Sequence, residues 1–245
     1  MKVTQNLLAA AVAVTMLSVG SSAIAADPLK LVFTHHSSVG DNGAGKTTLI
    51  RMISGDERPT SGDALLNGEK VSLRSPRDAM ERGIETTHQY NSTVGNMTIA
   101  QNIFLGREPL GWKLGNFGIL RKGEMRKASE DALGKVGFHL RSPDAIVSDP
   151  SGGQRQGVAI ARALQFQANI MILDEPTNHI SVKETNNVIR FTKELPERVY
   201  AGIFISHNLG HVFHPCSRVI LMSRGNIAAD RATTEITIEE IEEML

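Results

Sequence analysis

At 245 residues the chain can bury a full core as one large domain, or as one domain with a subdomain. Lys plus Arg and Asp plus Glu balance at 26 each, which argues against a strongly basic nucleic-acid binder, and no nucleic-acid partner is expected. A hydrophobic share of 41% with mixed charge fits a globular body. The single Cys216 excludes an internal disulfide and reads as a small apolar packing residue.

Residues 1–25 have the layout of a secretory signal peptide. Lys2 gives a positive start, Leu7 to Leu17 is almost wholly apolar, and Ala23-Ile24-Ala25 forms an A-x-A cleavage pattern. The apolar run falls short of the ~20 residues of a membrane-spanning helix, and nothing later is apolar enough to span a bilayer. An N-terminal helix of the fold is the competing interpretation. Residues 26–39 read as a foreign or linker segment, in which Leu29 to Thr34 predicts a short strand. The polar His35-His36-Ser37-Ser38 after it predicts a loop, because no third metal ligand is spaced to join the two histidines.

Gly40-Asp41-Asn42-Gly43-Ala44-Gly45-Lys46-Thr47-Thr48 fits the phosphate-binding pattern G-x-x-x-x-G-K-[ST]. Glycines let the backbone wrap an anion and turn successive N–H groups inward. A helix is expected to start at about Gly45 and stop at Gly55, with its positive end facing the phosphates. Lys46 would then reach the β- and γ-phosphates, and the Thr47 hydroxyl would hold Mg²⁺.

Beyond it, Asn67-Gly68 predicts a hairpin between Ala64-Leu65-Leu66 and Lys70 to Leu73. Ser75-Pro76 opens a helix that Gly83 closes, and Ile84 to Thr87 reads as a strand leading to His88-Gln89. A mostly helical region is expected from about Thr98 to Leu164, broken by a loop from Pro109 to Asn116. Lys113, Arg121, Lys122, Arg126 and Lys127 make it basic, which reads first as a solvated helix face and second as contact with a membrane-protein partner.

The most informative stretch follows. Ser151-Gly152-Gly153-Gln154 leads into a helix through Leu164 whose first turn offers free N–H groups. Ile170-Met171-Ile172-Leu173-Asp174-Glu175 is the apolar run of a buried parallel strand ending in two carboxylates, where open α/β sheets place ligands. There Asp174 can orient Mg²⁺ through water and Glu175 can polarise an attacking water. A helix from Lys183 to Leu195, a strand from Ala201 to Ile205 ending in Ser206-His207, and a late hairpin around Ser223-Arg224-Gly225 come next. His207, at a strand end after the acids, is a candidate γ-phosphate contact. Thr237-Ile238-Glu239-Glu240 is a capping box for a final helix. No internal repeat is present, so one nucleotide site is expected.

These motifs, in this order, resemble the ATP-binding subunit of ABC transporters from Gly40 to the C-terminus. The phosphate loop matches at Gly40 to Thr47, the Q-loop at Gln89, the signature at Ser151-Gly152-Gly153-Gln154, the second acidic motif at Asp174 and Glu175, and the switch histidine at His207. Arg74 to Ala79, Asn102 to Glu108 and Ile205 to Asn208 look like the monosaccharide-importer branch. The resemblance implies an α/β P-loop NTPase fold of the ABC-ATPase type over 40–245. Its core would be a parallel sheet, with a helical signature subdomain at about 95–165 and an incomplete N-terminal antiparallel part.

It implies ATP and Mg²⁺ as cofactors. Glu175, His207 and Gln89 would be catalytic, Gly40 to Thr48 and Ser151 to Gln154 would contact nucleotide, and Thr47, Gln89 and Asp174 would hold the metal. The implied partners are a second ATP-binding subunit, membrane permease subunits and, indirectly, a periplasmic sugar-binding protein. The place would be the cytoplasmic face of the inner membrane, with export to the periplasm as the alternative if the leader is used. Three departures stand out: no aromatic residue precedes Gly40 to stack on adenine, Pro150 replaces the signature's leading Leu, and Asn178-His179-Ile180 replaces small apolar residues. The first 39 residues resemble the start of an exported sugar-binding protein, which implies a junction near Val39. Two other readings stay open, a non-transport cassette ATPase and an inactive fusion of a truncated cassette to an export signal.

Overall fold

A computed structural model describes residues 13–16, 31–32, 45–66, 69–88, 93–114, 117–137, 142–147, 152–166, 168–195, 201–206, 208–223 and 225–244. In chain order, β1 (Ala13–Met16) and β2 (Leu31–Val32) precede α1 (Lys46–Ile53). Then come β3 (Asp63–Leu66), β4 (Glu69–Val71), α2 (Pro76–Glu81) and β5 (Ile84–Thr87). The middle of the chain holds α3 (Ile99–Phe104), β6 (Leu110–Leu114), β7 (Phe117–Leu120), α4 (Lys122–Val136) and α5 (Gly152–Gln165). The last part holds β8 (Ile170–Asp174), α6 (Val182–Glu194), β9 (Ala201–Ser206), α7 (Leu209–Phe213), β10 (Arg218–Ser223), β11 (Asn226–Ala232) and α8 (Ile238–Glu243).

The sequence dictates most of these ends locally. Ser75 caps α2 by accepting from the Asp78 N–H, with Pro76 at the first helical position. Thr98, Ser181 and Thr237 each form a capping box with the residue three further on, at α3, α6 and α8. Gly45 and Gly55 take φ of 87° and 79° at the two ends of α1, a region closed to most side chains.

A six-stranded sheet in the order β11-β10-β1-β9-β8-β5 forms the centre. The strands β5, β8 and β9 run parallel, with Ile84 opposite Ile170 and Ile170 opposite Ala201. Ile170 to Leu173 are all buried, as an unbroken apolar run on a strand covered on both faces should be. Two clusters of buried side chains flank the sheet. One joins α3, α4, α5 and α6 to Met171, Leu173 and Phe204, and the other packs Ile50 and Ile53 of α1 against Ile172, Ile203 and Ile205. The alternation along β8 thus sends Met171 and Leu173 to one layer and Ile170 and Ile172 to the other.

Three features depart from the sequence reading or were absent from it. Residues 109–116, expected as a loop, hold β6 and lead into β7 as an antiparallel hairpin. Trp112, Phe117 and Ile119 give the hairpin β-compatible residues, and the glycines disguised it as a turn. The short α7 was not expected. Most informative is β1, taken from the apolar run read as a leader. It lies antiparallel between β9 and β10, with Val14 opposite Ile205 on one side and Ile220 on the other. The rest of residues 1–25 and the loop His35 to Ser38 lie outside the described residues, while the strand expected at Leu29 to Thr34 is present as β2, paired with β3. Among the described residues no helix is long and apolar enough to cross a membrane.

Candidate nucleotide site

The site is built where the start of α1 meets the end of β8. Gly45 caps α1 without a side-chain hydrogen bond, so no capping side chain occupies the N–H groups of the first turn, which has Lys46 at its head. Pairing with β5 and β9 pins β8, which carries Asp174 to its carboxyl end and leaves Glu175 just beyond. Glu175 takes φ 48°, unusual for a residue with a Cβ, and its N–H donates to the Ile205 carbonyl at 2.9 Å. That bond ties the turn after β8 to β9 and fixes the carboxylate's direction.

The result is an ion pair between Lys46 Nζ and Glu175 Oε1 at 3.7 Å, with the two side chains 17% and 7% exposed. Burial pushes the Asp174 carboxyl above its ordinary range, and the neighbouring Glu175 charge pushes it the same way; His88 and Lys46 pull against both. Two adjacent acids in a half-buried corner, with one lysine between them and a helix N-terminus, favour an incoming cation and an incoming polyanion together. Among the described residues no three His, Cys, Asp or Glu side chains gather around one point. A divalent ion there would therefore take phosphate or water oxygens besides Asp174 and Thr47, which is the way Mg²⁺ is usually held. The donor set fits Mg²⁺–ATP.

Of the residues singled out in the sequence, Gly45, Lys46, Thr47, Thr48, Gly152, Gly153, Gln154, Asp174 and Glu175 are described. Gly40 to Ala44, Gln89, Ser151 and His207 lie outside the described residues, as do Pro150 and the preceding Asp149. Lys46 and Glu175 come together. Gly152, Gly153 and Gln154 form the first turn of α5, where Gly153 lies against the carboxylate of Glu184 on α6. A Cβ at Gly153 would fall inside that carboxylate.

Several supporting residues escaped the sequence reading. Thr87, at the end of β5, donates its hydroxyl to the Ile172 carbonyl at 3.3 Å and stiffens the strand pair below Asp174. Thr177 stands 3.1 Å from His211 Nδ1, joining the turn after Glu175 to α7. The buried Asn102 of α3 donates to the carbonyls of Val94 and Thr98 and accepts from the Val94 N–H at 2.6 Å, holding the segment that follows β5. Arg107 binds Glu85 of β5 at 2.6 Å and lies over the Phe166 ring, 4.4 Å from its centre. Burial raises the Glu85 carboxyl in spite of Arg107, and burial also lowers the Arg162 guanidinium of α5 beside it. A cavity of about 190 Å³ lined by Glu85, Thr87, His88 and Arg162 opens there, separate from Lys46 and Glu175. Only Asn102 and Arg107 stood in a motif noted in the sequence, and spacing gave neither a partner.

The family model described as ABC transporter matches residues 34–178, more than half of the chain. The chain belongs to the ABC transporter family. Its relatives include the Xylose/arabinose import ATP-binding protein XylG of Sulfolobus acidocaldarius, 37% identical over 207 residues, which are 84% of this chain and 80% of that protein. Another is the Ribose import ATP-binding protein RbsA 1 of Rubrobacter xylanophilus, 36% identical over 86% of this chain. This ABC-family chain spans only 41% of the length of that second relative. Among solved structures, a nucleotide-free ATP-binding cassette from an ABC transporter superposes with a TM-score of 0.68 at 23% identity, covering 83% of this chain and 81% of that one. That likeness shows the fold, an ABC-ATPase α/β core with its helical layer.

Proposed function

We propose that this chain is the ATP-binding, ATP-hydrolysing subunit of a monosaccharide ABC importer, acting at the cytoplasmic face of the membrane. The ion pair between Lys46 and Glu175 carries this reading, because it brings a phosphate-binding helix start within 3.7 Å of a strand-end acid. The names of the xylose/arabinose and ribose import relatives support sugar as the cargo class.

In this reading Gly40 to Thr48 wrap the phosphates, with Lys46 on the β- and γ-phosphates. Thr47, Asp174 and Gln89 would hold Mg²⁺, which would supply charge neutralisation to the phosphates. Glu175 orients and polarises the attacking water, and His207 contacts the γ-phosphate. Ser151 to Gln154 would close over the nucleotide of a second ATP-binding subunit, and closure would drive the permease subunits that a periplasmic sugar-binding protein loads. Positioning and charge stabilisation do most of the catalysis in such a site. The strand pairing of residues 13–16 favours the leader-like run staying in the fold over its removal.

Isothermal titration with ATP and Mg²⁺ tests the assignment. Lys46→Ala is expected to abolish binding, while Glu175→Gln keeps binding and loses turnover by a factor of about 100 or more. If the unmodified protein gives no heat at millimolar nucleotide, the reading fails.

A further inference from the structure

We infer that the β6–β7 hairpin is a contact site for an anionic phospholipid surface. Four apolar side chains of the hairpin are exposed: Trp112 at 70%, Ile119 at 68%, and Leu110 and Leu120 each at 37%. Leu110 pairs with Leu120 and Lys113 with Gly118, so the shift between those pairs sets both Gly111 and Trp112 opposite Ile119. Such a bulge gathers an indole and an isoleucine on one short ribbon. Large side chains held out of the core this way mark a contact surface.

Charge selects the partner. Residues 108–131 carry five bases, Lys113, Arg121, Lys122, Arg126 and Lys127, against Glu108, Glu124, Glu130 and Asp131, so the basic character here rests on the bases left outside ion pairs. Arg121 lies across Gly111, its Cγ 3.6 Å from where a Cβ would stand, which puts a guanidinium stem beside Trp112. Arg121 pairs with Glu124, and Arg126 with Glu130 and Asp144. The exposed Lys122 and Lys127 form no ion pair among the described residues. An exposed indole on a hairpin that runs into a helix start with two exposed lysines suits the headgroup zone of a negatively charged bilayer. Two exposed anchors on a hairpin fall well short of the ~800 Å² per partner of a stable protein interface. This inference goes beyond the proposed function and is independent of nucleotide binding.

Trp112 is the only tryptophan in the chain, so its emission reports this site alone. Full-length protein is mixed with vesicles of phosphatidylcholine, with and without phosphatidylglycerol, and followed by fluorescence and co-sedimentation. A blue shift with the anionic vesicles, reversed by 0.5 M salt, is the expected result. Lys122→Gln and Lys127→Gln should each weaken partitioning about fivefold. Trp112→Ser should weaken co-sedimentation about tenfold or more while leaving the ATP titration unchanged. No shift, or an equal shift on neutral vesicles, overturns the inference. So does a shift that follows protein concentration without vesicles, which would indicate a second copy, or one that appears only with reconstituted permease.

Discussion

Removing either partner of the Glu85–Arg107 pair tests whether the strand before His88 is clamped to the helical layer. At 2.6 Å and an effective dielectric of about 20, the bare attraction is about 6 kcal/mol. Arg107 is 29% exposed, so solvent screens the pair and the coupling lies well below that ceiling, while burial of Glu85 works against its ionised form. A buried charge-assisted hydrogen bond of this kind is worth about 1.5–3 kcal/mol, and the guanidinium over Phe166 adds about 0.5–1 kcal/mol to the loss of Arg107 alone. Urea unfolding of the parent, Glu85→Gln, Arg107→Leu and the double variant closes the cycle at pH 7. The expected coupling is about 2 kcal/mol, and a value below about 0.5 kcal/mol refutes the clamp. The pH dependence follows from the sign. A carboxyl raised in the folded state binds its proton more tightly there than in the unfolded chain, so ionising it removes stability as pH climbs above its ordinary 4.5. Relative to the parent, Glu85→Gln should therefore gain ground as pH rises through that window and lose it again on acidification.

Gly153→Ala should destabilise the fold by about 1–2 kcal/mol in thermal unfolding, because the new methyl displaces Glu184 from its capping contacts with Ser181. Adding Glu184→Ala should not worsen it; a further full loss would break the argument. For Asp174, whose folded carboxyl holds its proton above the ordinary 3.8, Mg²⁺–nucleotide binding should tighten as pH rises through that region and release a proton. Calorimetry in buffers of different ionisation enthalpy measures that release, and Asp174→Asn should remove it.

How legible the molecule was depends on how local each cause is. Ser75-Pro76, the Thr237 capping box and the Ile170 to Asp174 run carry their structure within a few residues, and each was read correctly. The meeting of Lys46 with Glu175 was legible because motif order fixed which strand end faces which helix start. The hairpin at Leu110 to Leu120 was not, since two glycines in a strand look like a turn until a partner strand is known. Glu85, Arg107 and Arg162 come from three distant elements, so no spacing along the chain could have paired them. The run around Val14 is ambiguous along the sequence: its apolar character suits an export leader and a sheet strand equally, and the pairing with Ile205 and Ile220 supports the strand.

That strand also sets the order in which the molecule can be made. Val14 finds its neighbours at residues 205 and 220, so this part of the sheet stays open until the polypeptide has been made past residue 220. Until then an oily segment near the amino end waits unpaired, exposed to any machinery that collects such segments. Contacts this remote in sequence are slow to form. Slower translation or added chaperone should therefore raise the yield of folded protein.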